Sequence, residues 1–373
     1  MKRIAFTLLL SLSATAAAFA CTSAIVSANK TLNGRPLLWK HRDTGEENNK
    51  VERTPAGEGV FEHVALYNAS DTLNREAWMG YNSEGFAIMN TASYNLKNDT
   101  VSSQNMDKEG VVMKIALSRC RTVDDFEQLL LTLPKPLGVE ANFGVIDAQG
   151  NGAYFETNNY TFTRFDLKDA PDGVLIRTNY SYSGRPDEGM GYVREANEKH
   201  LIAQHVEKGD FTPVVFTEEI SKTYYHSVLD KDFTHEGLEW IVDQDFIPRR
   251  ISTASCCIEG VKPGENPATT AMWIGIGFPP CSELRMALLG ENGVPEELQG
   301  KLPNGHSELC DMVVARKHEV FPIKRGNGKY YLHIALLYNA EGTGYCQKLI
   351  PENMKLYKKY NKQLNNLRKK LNK

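Results

Sequence analysis

The feature that most constrains this chain is the junction Ala18-Phe19-Ala20 followed by Cys21-Thr22. Ahead of it, Lys2 and Arg3 precede an apolar run from Ile4 to Leu10 and a small-residue stretch up to Phe19, and Ala18-x-Ala20 fits a signal-peptidase site. The expectation is an export leader over residues 1–20, with Cys21 first in the mature chain and the protein periplasmic or secreted. Past the junction the residues read at once as sheet. Residues 22–28 are small and β-prone, Asn33-Gly34 is a hairpin signal, and Pro36-Leu37-Leu38-Trp39 forms the return. Lys40-His41-Arg42-Asp43 comes after this second strand, and antiparallel pairing carries that charged cluster back toward Cys21.

An amino-terminal cysteine holds its own base. Its α-amine titrates at roughly 7.7–8 and its thiol at roughly 8.5, so the free amine can take the thiol proton near neutral pH. Asp43 is placed to hold that amine, and Lys40 or Arg42 to stabilise a thiolate or a substrate anion. Two plainer readings stand beside this one. Cys21 is equally the first disulfide cysteine of an exported protein, and the charged cluster equally a solvated strand end. A lipid-modified cysteine is disfavoured by the bulky Phe19.

Composition narrows the class. The chain has 373 residues, 41% hydrophobic and 24% charged, with a formal net charge of -3. That is the balance of a soluble globular protein and offers nothing to nucleic acid. Beyond residue 20 nothing approaches the roughly 20 apolar residues of a membrane span. Seven cysteines, at 21, 120, 256, 257, 281, 310 and 346, leave one over if the rest pair, and Cys21 is then the free thiol. No Cys-x-x-Cys or His-Glu-x-x-His occurs, and His200 and His205 miss the helical i, i+4 spacing, so no metal site and no cofactor is read.

Further on, residues 44–58 are polar and read as a loop, either overhanging a site or simply mobile, residues 59–67 as a strand, and Phe86-Ala87-Ile88-Met89 as a short buried one, with a polar exit over residues 90–95. Helices come next over 111–120 and, after the capping-box-like Thr122-Val123-Asp124-Asp125, over 126–133. Residues 142–147, 153–156, 160–165 and 174–180 are strands. The last ends in Thr178-Asn179, where Asn179 either caps a turn or offers an amide N–H to an oxyanion. Helical spacing recurs over 194–206 and 217–228, and β-prone runs over 251–258 and 271–277. Residues 330–337 fit strand or helix. Tyr357, Tyr360, Leu364, Leu367 and Leu371 make one apolar stripe on a lysine-rich helix over about 352–373, expected to dock on the chain's own core. No linker divides residues 21–373, which read as a single domain.

In this order the motifs resemble those of the N-terminal-nucleophile linear amide hydrolases. That group holds the choloylglycine (bile salt) hydrolases, penicillin V acylases, acid ceramidase-like amidases and the acyl-CoA:6-aminopenicillanate acyltransferases. The resemblance rests on Cys21-Thr22, Lys40-His41-Arg42-Asp43, Gly80-Tyr81-Asn82-Ser83-Glu84-Gly85-Phe86-Ala87, Asn142-Phe143 with Gly150 and Glu156, and Arg177-Thr178-Asn179-Tyr180. It covers residues 21 to about 180. Later, Gly260-Val261-Lys262-Pro263-Gly264-Glu265 to Trp273 and Gly277-Phe278-Pro279 look closer to the acyltransferase branch.

The resemblance implies an α+β fold, a four-layer αββα sandwich of two antiparallel sheets between helices. It makes Cys21 nucleophile and, through its amine, base; Asp43 the residue orienting that amine; Asn179 an oxyanion donor; and a backbone N–H near Ala92 or Ser93 the second donor. Two departures stand out. The family's arginine aligns with Lys40, leaving Arg42 as a shifted substitute, and an arginine of some bile salt enzymes falls on Cys256, so that either Arg250 replaces it from the strand's other end or that function is absent. The implied reaction is hydrolysis of a linear non-peptide amide: an N-acyl amino acid, an N-acyl amine or a conjugated bile salt. Acyl transfer to an amine and dipeptide cleavage are the enzymatic alternatives, and a disulfide-braced binding protein the non-enzymatic one. A homo-oligomer is compatible with all of these.

Overall fold

The computed structural model describes residues 20–372, so of the leader expected over residues 1–20 only Ala20 lies among the described residues. Strands β1 (Thr22–Val26) and β2 (Leu37–Asp43) pair antiparallel, with Thr22 opposite His41 and Val26 opposite Leu37. Gly34 in their connection has φ 69°, the left-handed region that glycine enters without a Cβ penalty. The charged cluster is not a solvated strand end: β2 runs through Asp43, and Lys40, His41, Arg42 and Asp43 are all buried.

Beyond this hairpin the strands are β3 (Asn49–Thr54), β4 (His63–Asn68), β5 (Met79–Asn82), β6 (Ala87–Ala92), β7 (Ala141–Ile146), β8 (Gly152–Thr157), β9 (Phe162–Asp166) and β10 (Val174–Arg177), with β11 (Ser252–Glu259), β12 (Ala271–Ile276) and β13 (Arg285–Ala287) late in the chain. They form two antiparallel sheets, one ordered β10-β1-β2-β11-β12-β13 and the other β3 to β9 in sequence. The hairpin sits near the middle of the first sheet, so its strands are buried on both faces. Ile25 and Leu38 face the second sheet's Val51, Val64 and Leu66, while Ala24 and Trp39 face outward under helices.

Those helices make the outer layers. Over the second sheet lie α1 (Glu109–Arg119) and α2 (Val123–Thr132). Phe126 of α2 packs edge-on against Phe143 and Phe155 at 5.6 and 5.2 Å between ring centres. The capping box is formed: the Thr122 hydroxyl accepts from the Asp125 amide and the Asp125 carboxylate accepts from the Thr122 amide. Over the first sheet lie α3 (Tyr192–Lys208) and α5 (Tyr345–Leu371), whose Ile202 and Leu364 join Trp39 and Trp273 in one apolar cluster. Helix α4 (Glu308–Val320) packs its Leu309, Cys310 and Val313 into the core between the sheets. The four-layer αββα arrangement is therefore present, and α5 docks on the sheet as its apolar stripe requires. Among the described residues no helix is long and apolar enough to cross a membrane.

Some expectations change. The loop read over residues 44–58 contains β3, whose single apolar residue, Val51, points into the core beside polar neighbours, so its alternation is nearly silent in the sequence. The helical spacing of 217–228 resolves into a π-helical turn at Val215–Glu219, a 3-10 turn at Ile220–Lys222 and a two-residue strand at Tyr225–His226. Residues 330–337 are split between a short strand and a 3-10 turn. All seven cysteines are free and buried, so the pairing considered for six of them is not made.

Candidate functional site

The β1–β2 register places Cys21 where it can be touched from three sides. Extending the pairs Thr22–His41 and Ser23–Arg177 by one and two residues sets Arg42 and Asn179 on either flank of Cys21. The side chains of Cys21, Lys40 and Arg42 face the space between the sheets, where Leu38 and Ile25 also point. Cys21 is 5% exposed, and its thiol donates to the Asp43 carbonyl at 3.8 Å.

Asp43 ends β2 at a bulge. Ser252 pairs with Asp43 and Ala254 with Arg42, so one residue of β11 is extra and Ser252 is turned toward the carboxylate. Its hydroxyl donates to Asp43 Oδ1 at 2.7 Å, and Arg249 Nε donates to Oδ2 at 2.8 Å. Arg249 Nη2 also reaches the Ala20 carbonyl at 2.8 Å. A single guanidinium thus joins the buried carboxylate to the peptide unit immediately ahead of Cys21. His41 stands on the same face, hydrogen-bonded to Ser221 and Ser252, and burial pulls its pKa down to about 4.

On the other flank Asn179 lies just past β10 in a backbone bridge with Met190. Its Nδ2 donates to the Ala92 carbonyl at 2.8 Å, and its Oδ1 accepts from Arg194 Nη2 at 2.6 Å. Arg194 Nη1 donates to the Cys21 carbonyl at 2.5 Å and to Thr22 Oγ1 at 2.8 Å. Arg194 is 1% exposed, and burial lowers its pKa to about 9, with Arg249 pushing the same way and Asp43 and Cys21 opposing.

The cations between the sheets are held by neutral oxygens. Lys40 Nζ donates to the Trp78 carbonyl at 2.9 Å and to Asn90 Oδ1 at 2.8 Å. Arg42 bonds to Asn49 and Asn68 and lies 5.0 Å over the Trp78 ring. Burial lowers Lys40 to about 8, against the attraction of Cys21, and Arg42 to about 10. Their hydrogen-bond partners carry no charge, so both leave positive potential on the Cys21 side of the sheet.

The remaining sequence candidates fall elsewhere. Arg250 pairs with Glu47 and stacks 4.9 Å over Tyr330; its neighbour Arg249 is the arginine that meets Asp43. The Ser93 amide donates to the Glu140 carbonyl at 2.8 Å and is committed to the sheet margin. Since that pair is hydrogen-bonded, the alternation of an antiparallel ladder turns Ala92 away from β7, and of the two amides Ala92 is the one that β7 does not engage. Arg249 and Arg250 also line a cavity of about 620 Å³ with Thr44, Glu47, Asp243 and Lys329. Among the described residues no group of three or more His, Cys, Asp or Glu side chains is arranged to hold a metal ion.

Sequence reasoning missed Arg249, Ser252 and Arg194. Arg249 and Arg250 stand side by side ahead of a strand, and their partners, Asp43 for Arg249 and Glu47 for Arg250, lie far off in the chain.

No family model matches the chain, and no curated protein sequence matches it. Among solved structures it is similar to a mutant conjugated bile acid hydrolase from Clostridium perfringens, at 10% identity over 72% of this chain and 92% of that one, with a TM-score of 0.42. It is similar also to a Caenorhabditis elegans ortholog of N-acylethanolamine-hydrolyzing acid amidase, at 10% identity over 64% of this chain and 92% of that one, with a TM-score of 0.39. For penicillin V acylase from Agrobacterium tumefaciens the identity is 10%, the coverage 72% and 86%, and the TM-score 0.36.

Proposed function

We propose that this chain is an exported cysteine amidohydrolase whose nucleophile, Cys21, becomes the first residue once residues 1–20 are removed, and whose substrate is a linear non-peptide amide. The observation that carries this reading is the arginine on each side of the Ala20–Cys21 peptide. Arg249 ties that peptide's carbonyl to the Asp43 carboxylate, and Arg194 ties the next carbonyl to the Asn179 amide.

With residue 20 gone, the Cys21 nitrogen becomes an amine beside Asp43, which orients it. The amine takes the thiol proton, and the thiolate, stabilised by Lys40 and Arg42, attacks the substrate carbonyl. Asn179 Nδ2 and the Ala92 amide hold the resulting oxyanion. The C–N bond breaks as the α-ammonium returns its proton to the leaving amine, leaving a thioester on Cys21. Water, deprotonated by the same amine, then releases the acid and restores the thiol. The favoured substrates are N-acyl amino acids and other N-acyl amines, with conjugated bile salts second.

The test uses purified mature protein and a panel of N-acyl amino acids, an N-acylethanolamine, penicillin V and a conjugated bile salt. Expected is release of acid and amine from at least one member, an acyl mass on the Cys21 peptide, and complete loss in Cys21→Ala. Added amines that divert the acyl group would make the enzyme a transferase. Undiminished activity in Cys21→Ala, or a lipid or disulfide on Cys21 of the mature protein, would overturn the reading.

A further inference from the structure

We propose that Arg194 is a positioning residue that locks the Asn179 side-chain amide in its donor orientation toward Cys21; the proposal rests on the amidohydrolase reading above. A primary amide has two ends that differ only in chemistry. Rotated by half a turn, Asn179 would present a carbonyl oxygen where a developing oxyanion needs a donor, and the site would repel the charge it has to hold. Something must therefore choose the end.

Arginine chooses without ambiguity, because a guanidinium only donates. Arg194 Nη2 lies 2.6 Å from the Asn179 oxygen, and a flipped amide would set two donors against each other there. The opposite end is read by an acceptor that cannot donate: Nδ2 gives a proton to the Ala92 carbonyl at 2.8 Å. The two contacts fix one orientation of the amide.

The same guanidinium fixes Asn179 relative to the nucleophile. Arg194 Nη1 holds the Cys21 carbonyl at 2.5 Å and Thr22 Oγ1 at 2.8 Å, so β1 and the Asn179 segment are tied through one rigid planar group. Its position is set from outside the site, by a backbone that starts α3 two residues earlier at Tyr192 and by close packing of Gly191. A Cβ on that glycine would collide with Arg194 Nη2. A cation on Oδ1 also draws electron density from the amide and makes Nδ2 a stronger donor. Lysine would preserve the charge but not the fork that spans both carbonyl oxygens.

The experiment compares wild type, Arg194→Lys, Arg194→Met, Asn179→Ala and the double variant Arg194→Met/Asn179→Ala on the best substrate of the panel. Arg194→Met should lose about 10²–10³-fold in kcat, the range for one oxyanion donor, with KM little changed, and Arg194→Lys should recover only part. The double variant should be no slower than Asn179→Ala alone, since a locked amide that is absent cannot be misplaced. Multiplying losses in the double variant would mean that Arg194 acts as a general prop and would overturn the proposal.

A second readout does not depend on turnover. The Asn179 side-chain NH₂ signals, identified by their absence from Asn179→Ala, should be a single slowly exchanging pair in wild type. In Arg194→Met they should be broadened or doubled, while unfolding by denaturant confirms that the variant is folded. An unchanged signal in Arg194→Met overturns the lock, whatever the activity. A wild type that is inert on the whole panel but shows the locked signal counts against the amidohydrolase reading and leaves the lock standing.

Discussion

Asp43 is a carboxylate with no exposure, and its two oxygens are covered by different kinds of donor, the Arg249 guanidinium and the Ser252 hydroxyl. Removing the hydroxyl takes away three hydrogen bonds, to Asp43, His41 and the Arg249 amide, but leaves Asp43 its guanidinium; removing the guanidinium leaves a buried charge uncompensated, and breaking such a pair costs about 3–5 kcal/mol. Arg249→Met should therefore lower unfolding stability by about that amount in a denaturant titration, and Ser252→Ala by about 1–3 kcal/mol. Equal losses would mean that the guanidinium is not the main partner. His41 supplies a pH signature at the same place. Burial lowers its folded-state pKa from 6.5 to about 4, so between those values the unfolded chain binds a proton that the folded site refuses. Stability should then fall as pH drops through that window, by about 3 kcal/mol. His63, held near 4 chiefly by burial, adds a slope of the same sign. His41→Asn should be weaker at neutral pH but show a shallower acid slope, which denaturation at two pH values would measure.

At the scale of elements, the second half of α5 is held to the sheet by few buried side chains. Among the described residues in the second half of α5, Leu364 is the one fully buried apolar side chain, and α5 is otherwise lysine-rich on its solvent face. Leu364→Ala should cost about 2–5 kcal/mol, while Thr122→Ala, which removes a cap but no core, should cost about 1 kcal/mol. The ratio is checked by urea unfolding of the two variants. Both features were legible in the sequence, because a three- and four-residue stripe and a capping box are local signals. So were the β1–β2 hairpin and the strands around Phe143 and Phe155. What the sequence concealed is decided by distant partners. β3 carries one apolar side chain and becomes a strand only by pairing with β4. Residues 217–228 have helical spacing but are diverted into tighter and wider turns. Among the site residues, Cys21, Asp43 and Asn179 were singled out by their place in ordered motifs. Arg194 and Arg249 were not: Arg194 meets Cys21 across 173 positions of chain and Asn179 across 15, and Arg249 meets Asp43 across 206.

For the whole molecule the order of events is set by burial. Ala20 and Cys21 are 4% and 5% exposed, and the Ala20 carbonyl is gripped by Arg249, so the folded protein closes over the peptide bond that the proposed maturation would cut. If residues 1–20 are removed as proposed, a protease that needs an extended substrate reaches that bond only before the sandwich is complete. Two chains make the test: one beginning at Cys21, the other retaining Ala20 as its only extra residue. The longer chain should fold at least as stably, because it keeps a charge-assisted hydrogen bond of about 1.5–3 kcal/mol. It should be inactive, since a peptide nitrogen has no basic lone pair to take the thiol proton. Intact mass fixes the first residue of each preparation, unfolding gives the stability, and hydrolysis of the best panel substrate gives the rate. Comparable rates from both chains would show that the base is not the Cys21 amine and would move the search for it to the groups around Asp43.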